Sequence, residues 1–364
     1  MRMICEYLTV NDAIALRNYY TTAYTGKSPS SISKYSLAFT TFVPPLGFTT
    51  YVISSTKKPA WNSVNEAFYK HTKTGKDGIE VGTGNLKLIY SGSEGKVSQY
   101  VNSRSSITAY VKQSYNFYAG FDGTTGEQIS RVFKNKEHAE VEFTVGPIPV
   151  DDGVGKEIVT QITTTMKSNK TFYIDSNGRD FLQRIRDYRE DWDLEVNQPI
   201  AGNYYPVNLG IYLKDETSEL SLLVDRSVGG SSIVDGQLEL MLHRLLYDDG
   251  KGVAEALNET VCVGNDYRGL TVQGKYYLRI DPIGEGAKWR RSYGQEIYSP
   301  LLLAFTEQDE KTGTNFQVST FSGMDSSYSL PERSIVNTPG WRGQSLSVMT
   351  SVELQKLFAK RKTK

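Results

Sequence analysis

The chain has 364 residues, and its 41 lysines and arginines balance 41 aspartates and glutamates, so the formal net charge is zero. A chain without excess charge has no long-range field that attracts nucleic acid or an anionic bilayer. The sequence contains no apolar run of the roughly 20 residues that cross a membrane. We therefore expect neither a nucleic-acid nor a membrane partner, and the length allows two or three domains.

The first part of the chain, residues 1–56, contains short β-type runs at Phe39–Val43 and Phe48–Ile53. The turn between them begins with Pro44 and Pro45, and two adjacent prolines exclude a helix there. Residues 57–78 are polar and predict a linker or a long loop.

The remaining sequence shows a dense series of strand patterns. Asn85–Tyr90 and Glu140–Val145 alternate apolar and polar residues, which is typical of strands with one solvated face. Turn signals such as Asn177-Gly178 separate further strand-like runs, namely Leu209–Leu213, Leu220–Val224, Gly274–Ile280 and Leu301–Phe305. The pattern predicts a mainly β chain built from large stacked sheets.

Only two windows have helical spacing. Arg179–Arg189 places Phe181, Ile185 and Tyr188 on one helical face, but it follows an Asn-Gly turn, so a helix and a hairpin strand both stay open. Val352–Phe358 is weakly amphipathic and leads into a basic C-terminal tip, which we interpret as a solvated terminus.

Residues that could carry chemistry are scattered. None of the three histidines, His71, His138 and His243, has a metal-ligand partner at a useful spacing, so the sequence predicts no metal site. Paired carboxylates could serve glycoside hydrolysis, but the candidate pairs lie in turn-like sequence and are interpreted as solvated acids: Asp151-Asp152, Asp191/Asp193 and Asp248-Asp249. Cys5 and Cys262 are far apart and are expected to be two separate thiols, although pairing stays open.

A long stretch of the chain carries a resemblance to a known family. Thr171–Glu259, which includes FYIDSNGRDFLQRIRDYREDW and NQPIAGNYYPVNLGIYLKD, resembles the C-terminal domain of lysosomal and vacuolar α-mannosidases, glycoside hydrolase family 38. Val141–Ile158 is similar to the entry into that domain. Ala15–Tyr20, followed by VPPLGFTTYVISS, resembles the small sandwich after the family's catalytic barrel. The resemblance covers nearly all of the chain from about residue 14.

The resemblance implies a domain layout. It comprises a partial small β-sandwich at 1–56, a linker at 57–78, a galactose-mutarotase-like supersandwich at 79–263, and a terminal β region at 264–364. Compared with the family pattern, a segment is missing near 128/129 and another near 332. Missing strands would leave open sheet edges, so we expect an open sheet near the first junction.

The resemblance also implies a function. The family's barrel holds zinc, an aspartate nucleophile and an acid/base aspartate on His-x-Asp and His-His-Asp motifs, and this sequence contains neither motif. The chain is then the non-catalytic C-terminal part of a zinc-dependent retaining enzyme that removes terminal α-mannose from N-glycan-derived oligosaccharides. Its partners would be a mannose-containing oligosaccharide and the N-terminal barrel, with no cofactor in this chain. The alternatives are a free-standing carbohydrate-binding or interaction module and a degraded product without function.

Three groups of residues are candidates for binding sugar or for forming ion pairs in such an enzyme part. Arg244 resembles a family arginine near the boundary with the barrel, where it would bind substrate or form an interdomain ion pair. Asn203-Tyr204-Tyr205-Pro206 could stack on sugars, although sheet packing is favoured. Asp225-Arg226-Ser227 is interpreted as a strand-end salt bridge and turn.

Two glycosylation patterns bear on location. They are Asn169-Lys-Thr171 and Asn258-Glu-Thr260, and they matter only in a secretory route. The family implies a vacuolar, lysosomal or extracellular location, whereas the first residues, MRMICEYLTVND, do not form a convincing signal peptide.

Overall fold

The structure is a computed structural model that describes residues 2–4, 40–44, 48–51, 78–92, 96–118, 126–133, 135–246, 257–263, 266–298 and 320–321. The chain divides into two compact units. The first comprises residues 1–71, 262–266 and 301–332, and the second comprises 72–261, 267–300 and 333–364.

The described elements are almost all strands. In chain order they are β1 (Arg2–Ile4), β2 (Thr40–Phe42), β3 (Phe48–Thr49), β4 (Ile79–Val81), β5 (Leu86–Tyr90), β6 (Val97–Asn102), β7 (Ile107–Tyr118), β8 (Gly126–Val132), β9 (Ala139–Val145), β10 (Lys156–Thr164), β11 (Thr171–Ser176), β12 (Asp180–Ile185), a 3₁₀ turn (Ala201–Asn203), β13 (Tyr205–Val207), β14 (Gly210–Lys214), β15 (Ser218–Val224), β16 (Val228–Ser231), β17 (Gln237–Leu245), β18 (Thr260–Val263), β19 (Asp266–Gly269), β20 (Val272–Pro282), helix α1 (Gly286–Tyr298) and β21 (Thr320–Phe321).

In the first unit, short strands from distant parts of the chain pair with one another. β1 pairs antiparallel with β2, and β3 pairs antiparallel with β21, where Phe48 stacks on Phe321 with ring centroids 6.0 Å apart. A piece of the expected terminal β region therefore belongs to the same unit as the N-terminal strands.

The second unit contains two large antiparallel sheets. The eight-stranded sheet has the order β13-β16-β17-β10-β7-β6-β5-β4, and the seven-stranded sheet has the order β12-β11-β14-β15-β20-β9-β8. Inward residues of both sheets meet in one core that includes Ile162 and Leu240 from one sheet and Phe143 and Leu222 from the other. Each such buried side chain contributes about 1.5–3 kcal/mol. The prediction of a mainly β chain with large stacked sheets is confirmed.

Helix α1 covers the outer face of the seven-stranded sheet. Trp289, Tyr293 and Ile297 lie on one side of the helix at four-residue spacing and pack against Leu223 and Tyr277. The sequence did not predict this helix, which lies in the region expected to be β. Among the described residues, no helix is long and apolar enough to span a membrane.

Two expectations are resolved by the strand order. Asp180–Ile185 forms β12 and pairs with β11 across the turn at Asn177 and Gly178, so the helical alternative for this window is wrong. The large sandwich also extends past the expected boundary at 263, because β20 lies between β15 and β9 in the middle of the seven-stranded sheet.

The expected junction at 128/129 falls within β8. This strand pairs with β9 and is the last described strand of its sheet. Gln128 turns toward the interior, donates a hydrogen bond to Gln113 Oε1 at 2.8 Å and accepts one from Tyr115 at 2.6 Å. Other predictions concern residues outside the described ranges: the linker residues 57–77, Leu301–Phe305, the junction near 332, Val352–Phe358, His71, Asp248, Asp249 and Cys5.

Candidate functional site

The outer face of the eight-stranded sheet carries a group of polar side chains, here called the Glu239 cluster: Glu239 on β17, Gln161 on β10, Tyr118 on β7, and Tyr204, which follows the 3₁₀ turn. Alternation along β17 explains the position of the carboxylate, because Leu238 and Leu240 point into the core. The register pairs Gln161 directly with Glu239.

Glu239 is a buried carboxylate with three donors. Glu239 is only 1% exposed. Tyr118 donates its hydroxyl proton to the carboxylate at 2.8 Å, Tyr204 donates at 2.6 Å and the Gln161 amide at 2.5 Å. Hydrogen bonds of this kind replace the water that the carboxylate loses on burial.

The two tyrosines stay protonated in this arrangement. Burial raises the pKa of both hydroxyls, and the neighbouring Glu239 raises each pKa further. Their rings meet edge to face with centroids 6.4 Å apart. The cluster is therefore a buried carboxylate whose oxygens accept hydrogen bonds from three side chains.

Arg244 lies beside the cluster, near the end of β17. A register shift between Ile158 and Val159 of β10 places Arg244 opposite Glu157, and its guanidinium is 2.8 Å from the Glu157 carboxylate. The side chain remains 45% exposed. Arg244 therefore forms an ion pair within its own unit, whereas the ion pair expected from the resemblance is one between domains and stays a prediction.

The described histidines do not fit a zinc site. His243 accepts a hydrogen bond from the Arg244 backbone N–H at Nδ1, and its Nε2 lies 2.9 Å from the Leu270 carbonyl, so both nitrogens are engaged by backbone. His138 is buried among the rings of Trp289, Tyr293 and Tyr277. Across the described ranges, no group of three or more His, Cys, Asp or Glu side chains could hold a metal ion.

Other predicted residues are dispersed. Asp151, Asp191 and Asp193 are exposed, as expected for solvated acids. Asp152 is exposed too, but its carboxylate lies 2.5 Å from the Nζ atom of the buried Lys156, so it is paired rather than only solvated. Arg226 Nε is 3.1 Å from the neighbouring Asp225 carboxylate, which confirms the strand-end salt bridge. These residues form no common site with Arg244.

The Asn203–Pro206 segment is engaged in packing. Asn203 is buried and donates from its side-chain amide to the Asp187 carboxylate at 2.8 Å, while Tyr204 joins the Glu239 cluster. Tyr205 packs against the main core. The side chains of this segment are therefore engaged in packing within the sandwich, as the sheet-packing interpretation predicted.

The glycosylation candidates differ in accessibility. Asn169 is exposed in the turn before β11, with a φ of 50°. Asn258 is partly buried. Cys262 is an exposed cysteine.

Sequence reasoning missed Glu239, Tyr118 and Gln161. The alternation in QLELMLHRL was visible, and it would have placed Glu239 opposite to the leucines. The convergence of three strands on this carboxylate depends on register, which the sequence alone does not specify.

The sequence of the chain is similar to those of known proteins. Residues 84–251 match the Glycosyl hydrolases family 38 C-terminal domain. A probable α-mannosidase of Arabidopsis thaliana is 48% identical over 419 aligned residues, which cover 97% of this chain and 41% of the relative. The alignment is longer than the chain, so it includes positions at which this chain has no residue.

Two further similarities are more distant. A lysosomal α-mannosidase of Felis catus is 41% identical over 209 residues, which cover 57% of this chain and 20% of the relative. The crystal structure of an α-mannosidase from Enterococcus faecalis V583 aligns with a TM-score of 0.39 and 11% identity, covering 61% of this chain and 31% of that chain. Residues 84–251 therefore match the C-terminal domain of glycoside hydrolase family 38, and the chain spans less than half of the length of the α-mannosidases that it resembles.

Proposed function

We propose that the chain is the C-terminal part of an α-mannosidase acting on mannose-containing oligosaccharides, and that its eight-stranded sheet supplies one rim of the sugar site. The observation that carries this proposal is the similarity of 97% of the chain to a plant relative, of which the chain spans 41%. The remaining part of such an enzyme would hold zinc and the catalytic carboxylates. The substrate would be a terminal α-mannose of N-glycan-derived oligosaccharides.

Arg244 is the residue proposed to contact the sugar. Its guanidinium is 45% exposed and is oriented by Glu157, so part of its planar set of N–H donors faces away from the sheet. A guanidinium held in this way donates parallel hydrogen bonds to two neighbouring hydroxyls of a sugar or to a carboxylate. The Glu239 cluster beside it supports this position.

The isolated chain is proposed to be inactive. A retaining glycosidase needs a nucleophile and an acid/base carboxyl about 5–5.5 Å apart. In the Glu239 cluster the single carboxylate is occupied by three protein donors, and the neighbouring Glu157 is paired with Arg244. Neither carboxylate is arranged to attack an anomeric carbon.

The domain layout is also proposed. Because the alignment with the Arabidopsis relative runs over more residues than the chain contains, we place the missing segments near 128/129 and near 332. The position of β8 as the last described strand of its sheet supports the first of these positions. A strand from the missing segment would pair with the edge of β8 that has no partner strand among the described residues.

The experiment is a fusion protein. The N-terminal part of the Arabidopsis relative is joined to this chain, and hydrolysis of an aryl α-mannoside is followed with the wild-type chain, with Arg244→Ala and with Arg104→Ala as a matched control. Arg104 is 74% exposed and pairs with Glu137. We expect Arg244→Ala to lower kcat/KM about tenfold or more while Arg104→Ala leaves it unchanged. Equal activity of the two variants in a folded fusion would contradict the proposed role.

A second candidate function is carbohydrate binding without the barrel. The exposed Arg244 on this sheet face favours it, since a guanidinium donates hydrogen bonds to sugar hydroxyls. A glycan array probed with the isolated chain separates the two functions. Clear binding of mannose oligosaccharides by the chain alone would favour the module, and its absence would favour the enzyme part.

A vacuolar or lysosomal location is proposed from the lysosomal and plant relatives. In a secretory route, Asn169 is the better glycosylation acceptor because it is exposed, whereas Asn258 is partly buried. Expression in a plant secretory system should give a glycosidase-sensitive mass shift that Asn169→Gln removes. A shift that persists in Asn169→Gln and disappears in Asn258→Gln would reverse the assignment.

A further inference from the structure

A cleft lies where the two large sheets meet at their edges. On one side are β11 and the edge strand β12, and on the other is the edge strand β13. The cavity has a volume of about 130 Å³ and is lined by Leu182, Arg184, Tyr205 and Asn208, with Asp175 and Asn177 at one end. One water occupies about 30 Å³ in the liquid, so the cleft has room for a small organic molecule or ion.

Arg184 is the unusual member of this lining. Its register places it opposite Phe172, so its side chain points toward the interior of the sandwich rather than to bulk solvent. Its Nε atom is shielded from solvent and has no hydrogen-bond partner. Arg184 forms no ion pair with any residue of the described ranges. A shielded Nε–H group without an acceptor is destabilising, and the guanidinium that carries it lines the cleft without a compensating negative charge from the described residues.

The position of this guanidinium is fixed by an aromatic ring. The Arg184 Cζ atom lies 4.6 Å from the centroid of Tyr205, and the Arg189 Cζ atom lies 5.7 Å from the same centroid. Arg189 donates to the carbonyl oxygens of Tyr188 and Gly202. Two positive charges therefore approach one ring, and in the structure neither has a carboxylate partner among the described residues.

The acid in the cleft lining does not neutralise Arg184. Asp175 Oδ1 accepts hydrogen bonds from the backbone N–H groups of Asn208, Leu209 and Gly210 at 2.8–2.9 Å, and Oδ2 accepts from Gly178 at 2.8 Å. Its negative charge is thus compensated by four amide dipoles. Asp175 organises the end of the cleft and leaves Arg184 available to a ligand.

We propose that this cleft binds a small oxyanion, a carboxylate or a phosphate group, through the guanidinium of Arg184. The guanidinium is planar, always charged and matched to two oxygens of such a group. Arg189 adds a second positive charge near the Tyr205 ring, and Asn208 belongs to the same lining. Leu182, which is 43% exposed, forms the apolar wall against which the carbon part of an organic acid would pack.

The test is titration calorimetry of the 364-residue chain with inorganic phosphate, with acetate and with mannose, at an ionic strength held constant with sodium chloride. We expect saturable binding of phosphate or acetate, and the two titrations identify which group is preferred. Arg184→Gln should weaken this binding about tenfold to a hundredfold. Arg104→Gln, which removes an exposed arginine far along the sequence, should leave it unchanged.

A second variant keeps the arginine and blocks the space. Leu182→Trp fills the cleft from its exposed wall and should also abolish anion binding. The proposal can therefore be tested even if Arg184→Gln fails to fold. Three results would overturn the proposal: no saturable binding of either anion, equal binding by wild type and Arg184→Gln in folded proteins, or binding of mannose in preference to both anions.

Discussion

The two large sheets of the sandwich have outer faces of different character. On the seven-stranded sheet, α1 lays Trp289 and Tyr293 against Leu223 and Tyr277, and the buried Arg290 pairs with the buried Glu219. On the eight-stranded sheet, the outer face carries the Glu239 cluster and the exposed Arg244–Glu157 pair. One face is sealed by the chain's own helix, and the other presents fixed polar groups.

The difference indicates how each face is used. An apolar outer face must be covered to be stable, and here a helix of the same unit covers it. A polar outer face with satisfied hydrogen bonds is stable when exposed and can meet a sugar or another domain. Substitutions on the sealed face should therefore affect stability most. On the polar face, substitution of the buried Glu239 should affect stability less, and substitution of the exposed Arg244 should affect function.

The largest effect is expected from Arg290→Ala on the sealed face. Arg290 donates to Ser221 Oγ at 2.8 Å, lies 3.4 Å from Glu219 Oε1 and stacks 3.7 Å from the centroid of Tyr212. Its removal leaves a buried carboxylate unpaired, and the free energy of unfolding should fall by about 3–5 kcal/mol. Urea denaturation measures this loss, with Arg104→Ala as a control expected to cost about 0–1 kcal/mol. If Arg290→Ala and Arg104→Ala lowered the free energy of unfolding by similar amounts, the expected difference between the buried and the exposed ion pair would be contradicted.

The next effect concerns pH and His138, also beneath α1. Burial, together with the nearby Lys136 and Arg279, lowers the pKa of His138 from 6.5 to about 3. As the pH is lowered, the His138 imidazole therefore gains a proton near pH 6.5 in the unfolded chain but only near pH 3 in the folded chain. The free energy of unfolding falls as the pH decreases between these two values. The contribution approaches about 1.4 kcal/mol per pH unit.

A His138→Phe variant isolates this contribution. Unfolding free energies at pH 7 and pH 5 should differ less in the variant than in the wild type, although His243, whose pKa burial also lowers, contributes in the same direction. Identical pH dependence in both proteins would show that His138 does not titrate as described.

A smaller loss is expected from Glu239→Gln on the polar face. The substituted amide presents an N–H group to donors that previously faced a carboxylate, and this costs about 1–3 kcal/mol. Glu80→Gln is the matched control, because Glu80 pairs with Lys87 at an exposed position. Chemical denaturation of both variants measures the difference. A Glu239→Gln protein as stable as Glu80→Gln would mean that the hydrogen bonds of the cluster do not stabilise the fold.

The smallest effect on stability is expected from Arg244→Ala. The side chain is 45% exposed, and exposed ion pairs contribute about 0–1 kcal/mol. Thermal unfolding should be nearly unchanged, although we expect the same substitution to lower turnover in the fusion enzyme. A large loss of stability would instead assign Arg244 a structural role.

The strands could be predicted from the sequence because alternation in runs such as Glu140–Val145 reports directly which face is buried. Helix α1 could not, since it follows a strand and its glycine at 294 weakens the helical pattern, while the face it covers exists only in the folded sheet. Arg244 was found through family resemblance. Glu239 and Arg184 were not, because their surroundings depend on the register of strands distant in sequence.

The central proposal is that this chain is a non-catalytic part of an α-mannosidase. The most direct measurement is release of an aryl leaving group from an aryl α-mannoside by the purified chain supplied with zinc. We predict no turnover above a heat-treated control and no stoichiometric zinc binding. Turnover above that control, with one zinc bound per chain, would contradict the account and would mean that this chain contains a catalytic site of its own.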